Sequence, residues 1–178
     1  MRLHGAELPG VRIVELERHE DGRGALVRTY CADAFRAAGV DVGFVQSNVV
    51  TNGRRGTLRG MHWQEEPFGE AKLVACVHGV VHDVLVDVRP DSPAFGRWMS
   101  LLLDAETPRA LFVPPGIAHG YQTLTDGAVL VYQMSAPYSP AHARGVRWDD
   151  PALGIAWPIP SPILSDRDRS HPPFHRGS

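Results

Sequence analysis

Apolar and polar residues alternate along most of this chain with a period near two, in short runs closed by Gly, Pro or Asp. That periodicity is the mark of half-buried strands, whose side chains point to opposite faces in turn. It predicts strands over 11–15, 25–30, 43–51 and 57–64. A long apolar run over 73–88 divides into strands at 73–78 and 80–88, and further strands follow over 96–103, 110–113, 120–124 and 128–135. Asp126-Gly127 between the last two is favoured hairpin chemistry. Helical periodicity is confined to 31–38, CADAFRAA, and a short turn over 165–169. Eighteen glycines and 15 prolines suit an all-β antiparallel barrel or jelly roll with many turns. No repeat or linker interrupts the chain, so a single domain over 1–178 is expected, with an irregular tail over 157–178.

In a regular strand over 57–64, Leu58, Gly60, His62 and Gln64 share one face, and Arg59, Met61 and Trp63 the other. Ala128, Leu130, Tyr132 and Met134 form one face of the later strand, which gives Tyr132 an apolar setting with one polar tip. Composition adds exclusions. Hydrophobic content of 43% and a net charge of −2 give no reason to expect nucleic acid or an acidic membrane surface as partner. No apolar run approaches the ~20 residues of a membrane helix, and MRLHGAELPG lacks the apolar segment of a secretory leader. The 2 cysteines, Cys31 and Cys76, form neither a disulfide framework nor a zinc spacing. A cytoplasmic protein is expected. Of 18 basic side chains, Lys72 is the single lysine, which leaves 17 arginines. A lone ammonium among guanidinium groups marks a place for a compact point donor.

His62, Lys72, His119 and Tyr132 lie on or beside strands that a small barrel brings together. Each alone reads as a satisfied structural residue. Jointly they supply a base, a cation and a phenolic acid, the set needed to move protons beside a carbonyl. A rival set, His62, His78, His82 and His119, would suit a metal-dependent barrel, with His78 and His82 on one strand face. Against it, Met61-His62-Trp63-Gln64 offers one ligand, and a catalytic metal needs three with an open position. Cys76 is read as an inert buried thiol, and Asp87 with Arg89 as a structural pair. The four tryptophans, Trp63, Trp98, Trp148 and Trp157, are assigned to core or interface. His171 and His175 are assigned to the mobile tail.

LRGMHWQ, GEAKLVACVHGVVHDVLVDVR, DSPAFGRW, FVPPGIAHGYQTL, LVYQMSAPYSP and ILSDRD, in this order, resemble the dTDP-4-dehydrorhamnose 3,5-epimerase family from about Glu15 to Asp168. The resemblance implies a cupin fold, a homodimer, a nucleotide-diphosphate deoxysugar as substrate, and neither cofactor nor metal. It makes His62 the base, oriented by Asp168, and Tyr132 the acid on the opposite face of the sugar. Lys72 would stabilise the enolate, with His119 beside the sugar. Arg59 would hold the diphosphate, and Gln46, Asn48 and Tyr138 the nucleoside. Arg23, in the DGRG segment, would serve the partner subunit. The chain departs from the family at Leu26, Arg28, Ser47, Ala143 and Arg167, positions about the substrate, so nucleotide, sugar and the carbon inverted stay open. One geometric difficulty remains: Arg59 and His62 face opposite ways in a regular strand, unless Gly60 allows a bulge.

Overall fold

A computed structural model describes residues 1–175; the last three positions of the expected tail lie outside the described residues. The chain opens with β1 (Arg2–Gly5), β2 (Arg12–Glu15), β3 (Arg18–Asp21) and β4 (Gly24–Val27), followed by α1 (Ala32–Ala37). Next come β5 (Gln46–Thr51), β6 (Leu58–Gln64), β7 (Lys72–His78), β8 (Val80–Asp87), β9 (Trp98–Asp104) and β10 (Arg109–Val113). β11 (Ile117–Thr123), β12 (Val129–Met134), β13 (Ala143–Gly145) and the one-turn α2 (Asp166–Arg169) complete it. All pairings between these strands are antiparallel. β1-β2-β10-β7-β12-β5 form one sheet, β13-β6-β11-β8-β9 a second, and β3-β4 a separate ribbon. This is the all-β antiparallel architecture with short helices that the alternation led us to expect, and the cupin-type jelly roll that the resemblance implies.

The two large sheets face each other, and their inner faces meet in one apolar cluster: Val74, Leu111 and Leu130 from one, Val81, Leu85 and Leu103 from the other. Residues one position along point outward and are covered as well. Leu73, Ala75 and Phe112 pack under Phe35 of α1, whereas Val84 and Val86 pack under Val146 and Leu153 of the C-terminal segment. Strands covered on both faces lose the alternation of half-buried ones. That is why 73–88 is mostly apolar, with Asp83 and Asp87 as its buried charges. Phe35 is fully buried, and burying such a side chain is worth about 1.5–3 kcal/mol, which ties α1 to the sheet.

β6 is not regular. His62 pairs with His119 and Arg59 with Tyr121, so three steps along β6 match two along β11. The extra residue is a bulge at Gly60-Met61, and it shifts the strand's parity by one. Arg59 and His62 therefore both line the same cavity, while Met61 turns into the outer cluster. Gly60 has φ 125°, a left-handed value, and a Cβ there would lie 2.5 Å from Gly120 Cα. Only glycine meets both conditions. Gly60→Ala combines backbone strain with overpacking, so it should lower unfolding stability by about 3 kcal/mol or more. A urea midpoint equal to that of the parent chain would refute this account.

Some elements escaped the periodicity. β1, β3 and β13 are short and mostly polar, and β3 is solvent-exposed throughout. The strand expected over 25–30 ends at Val27, after which the chain turns toward α1. His78 and His82 do not share a strand face: Gly79, at φ 76°, separates β7 from β8, His78 is exposed, and His82 packs against Trp157. The expected Asp87–Arg89 pair is present at 2.5 Å.

Candidate active site

A cavity of about 510 Å3 opens between the sheets, within the range of small-molecule sites. On one wall, β6 presents His62. The irregular C-terminal segment presents Asp168, and Ser165 fixes that residue's position by accepting the Asp168 backbone N–H on its hydroxyl at 3.1 Å. His62 Nε2 and Asp168 Oδ1 are 2.5 Å apart. A carboxylate that accepts the Nε2 proton leaves the ring's lone pair on Nδ1 and holds the tautomer. Burial pushes the Asp168 carboxyl up, but hydrogen bonding and charge from His62 outweigh it, and the net shift is downward.

Lys72 opens β7 at the mouth of the same cavity and is only 8% exposed. Its Nζ lies 2.7 Å from Glu70 Oε1 and donates to the His62 carbonyl at 3.2 Å. Glu70, 5% exposed, also accepts the Gln64 backbone N–H through Oε2 at 3.0 Å. A buried ammonium is thus matched by one buried carboxylate. The sequence reading missed Glu70, although its place two residues before the lone lysine was a usable signal.

Tyr132 reaches the cavity from the opposite sheet, between Leu130 and Met134 as the strand parity predicts. Burial raises its phenol pKa, partly countered by the charge of Arg59. His119 of β11 is held by the fully buried Asp83, 2.9 Å from its Nε2. This second His–carboxylate pair was not foreseen. Tyr121 donates its hydroxyl to Asn52 at 3.2 Å, and burial pushes that phenol up to about 12. Arg59 Nε donates to the same Asn52 oxygen at 3.0 Å.

Gln46 and Asn48 line the cavity from β5, an edge strand. At the rim, Gln46 Oε1 accepts the Tyr138 backbone N–H at 3.2 Å, and Arg167 donates to the Tyr138 hydroxyl at 3.1 Å. Ten of the expected site residues therefore meet at one cavity. Three do not. Ser47 lies between Gln46 and Asn48 and so points to the other face of β5, exposed. Arg23 sits in the β3-β4 turn, its side chain 92% exposed and paired with Asp21. Arg28, just past β4, is likewise exposed and outside this cavity. His171 is the reverse case. Rather than lying free in a tail, its side chain is 10% exposed, 3.5 Å from Asp168 Oδ1, with its ring edge-on to His62. Burial and then the His62 charge lower its pKa.

Acid–base groups on both walls of a cupin barrel, around a buried ammonium, define an enzyme that moves protons at carbon. The dTDP-4-dehydrorhamnose 3,5-epimerase family matches residues 5–176, and the chain belongs to that family. It is an isomerase of the epimerase type. A dTDP-4-dehydrorhamnose 3,5-epimerase of Sinorhizobium fredii is 42% identical over 97% of this chain and 89% of its own length. A dTDP-4-dehydro-6-deoxyglucose 3-epimerase of Streptomyces bikiniensis is also 42% identical, over 96% of this chain and 87% of its own. The crystal structure of the Bacillus anthracis dTDP-4-dehydrorhamnose 3,5-epimerase, with TDP and pyrophosphate bound, superposes with a TM-score of 0.94 at 38% identity, covering 97% of this chain and 99% of that one.

Proposed function

We propose that the enzyme epimerises a nucleotide-diphosphate-linked 4-keto-6-deoxyhexose at a carbon flanking the ketone. His62 Nδ1 removes the C–H proton, and the bond's electrons pass into the C4 carbonyl as an enolate. Lys72 meets the oxygen charge as it forms, which is where preorganised electrostatics lower such a barrier most. Tyr132 returns a proton to the opposite face, and the carbon is inverted. Imidazolium and phenolate then exchange with solvent to reset the pair. The observation that carries this reading is the origin of the two groups: His62 comes from one sheet and Tyr132 from the other, with Lys72 in the same cavity and bonded to the His62 carbonyl. Inversion needs donors on two faces.

Arg59 would grip the diphosphate, with Gln46, Asn48, Tyr138 and Arg167 toward the nucleoside and His119 toward the sugar. The Bacillus anthracis relative, with TDP bound, supports a dTDP substrate. Inversion at one carbon only draws equal support from the Streptomyces bikiniensis 3-epimerase, which is as similar as the 3,5-epimerase. Turnover of dTDP-4-keto-6-deoxyglucose in D2O, followed by NMR, tests both readings. Deuterium at C3 and C5 is expected of a 3,5-epimerase and at one carbon of a mono-epimerase. No label at either would refute the substrate.

The working unit is proposed to be a homodimer in which the ribbon carries Arg23 and Arg28 to the partner's cavity. Support comes from that projecting ribbon and from exposed Leu26, Val45 and Val49 on it and along β5. Light scattering should give twice the chain mass; a monomer would leave Arg23 without a site. No helix among the described residues is long and apolar enough to cross a membrane, and a cytoplasmic setting fits a sugar-nucleotide substrate.

A further inference from the structure

His62, Asp168 and His171 converge more closely than proton transfer requires: one ligand atom from each lies within 4.8 Å of the other two. Two imidazoles and a carboxylate are a donor set suited to a first-row divalent ion, and three protein ligands with an open position define a reactive zinc geometry. His171 Nε2 is buried and has no hydrogen-bond partner. The ring owes its place to Gly145, since a Cβ there would stand 2.3 Å from His171 Cε1. Gly145 is paired in register with His62, so β13 leaves a slot for one more imidazole directly beside the base. We propose that these three residues form a zinc site that switches the enzyme off.

The fit requires little movement. Ligand atoms each ~2.0–2.1 Å from a tetrahedral zinc stand roughly 3.3 Å apart. The His171–Asp168 separation of 3.5 Å already meets this, and the His62–Asp168 separation of 2.5 Å must open modestly. Asp168 sits in the one-turn α2 and His171 just beyond it, outside the strands of either sheet. Inhibition follows from the tautomer. Zinc on Nε2 of His62 takes the lone pair there, so the ring proton moves from Nε2 to Nδ1 with no net release. Nδ1 then carries N–H and has no electrons for the substrate's proton.

Binding is independent of the proposed reaction, whereas inhibition rests on His62 Nδ1 being the base. Zinc chloride titrated into the intact chain by calorimetry should saturate at one ion per chain, with the Co2+ form showing tetrahedral absorption. His171→Ala should weaken zinc at least about tenfold. Gly145→Ala, which removes no ligand but displaces the ring, should do the same, and His175→Ala should change nothing. Proton exchange should fall as zinc fills the site and return with EDTA. No binding at micromolar zinc, equal affinity in His171→Ala, or loss in His175→Ala would overturn the site. Zinc bound as described with proton exchange undiminished would keep the site and overturn Nδ1 as the base.

Discussion

Lys72→Met should lower kcat/KM roughly 100- to 1000-fold, the loss typical when a group that meets developing charge is removed. It should also destabilise the fold by about 3–5 kcal/mol, because Glu70 would be left as a buried charge without its partner. The two losses separate in the double variant Lys72→Met with Glu70→Gln. Its neutral amide keeps an acceptor for the Gln64 N–H, which Glu70 now holds at 3.0 Å, and no unpaired charge remains. Stability should recover most of the way while activity stays at the level of Lys72→Met. Urea unfolding and D2O exchange read the two quantities independently. A double variant as unstable as the single one would mean that the pair is not what holds this part of the barrel. Lys72→Arg should not rescue turnover, since a guanidinium fork cannot occupy the site of a compact ammonium bonded to both Glu70 and the His62 carbonyl. That geometry gives a physical reason for the chain's one lysine.

His62→Ala should reduce deuterium incorporation by roughly two to four orders of magnitude, the usual contribution of a positioned acid–base group. Retained dTDP binding would locate the loss in the chemical step. Asp168→Asn should be comparably severe. An amide in place of the carboxylate favours the wrong tautomer, as an aspartate-to-asparagine change does in the serine-protease triad, where it costs ~10 000-fold. The pair also has a pH signature. The folded-state pKa of Asp168 lies below its ordinary value. Its contribution to stability is therefore complete above the unfolded value of about 4 and disappears as pH falls through the folded value below that. Stability curves of the parent and Asp168→Asn should be separated near neutrality and converge in acid. Curves that stay parallel down to acid pH would assign the carboxylate no linkage.

How much of this was legible in the sequence varies with the range of the interaction. The long strands of both sheets were readable from alternation, and the doubly covered pair β7-β8 from its largely apolar run. Ser47 was misassigned because its neighbours Gln46 and Asn48 face the cavity, and only strict parity along β5 separates it from them. His171 was misassigned for the opposite reason. Its surroundings are rich in Pro, Ser and Arg, a composition typical of loose tails, and nothing local says that Gly145 leaves a space for its ring. Glu70 and Asp83 act through partners that only the folded chain supplies, one across the approach to β7 and one across the β8-β11 pair. His78 and His82 seemed to share a face because strand parity was carried across Gly79, which is the corner between two strands. Short polar strands such as β3 carry no core-facing stripe, and hydrophobic patterning has nothing to detect there.

The proposed base and its carboxylate are 106 residues apart in the chain, and the long strands of both sheets are all in hand by Met134. The long strands that build the barrel are thus all contained in the part of the chain that precedes the C-terminal segment. The carboxylate that would hold the His62 tautomer is supplied by Asp168 of α2, positioned by Ser165. On the proposed mechanism, a complete barrel is not enough for activity, which also needs a single turn of helix in place.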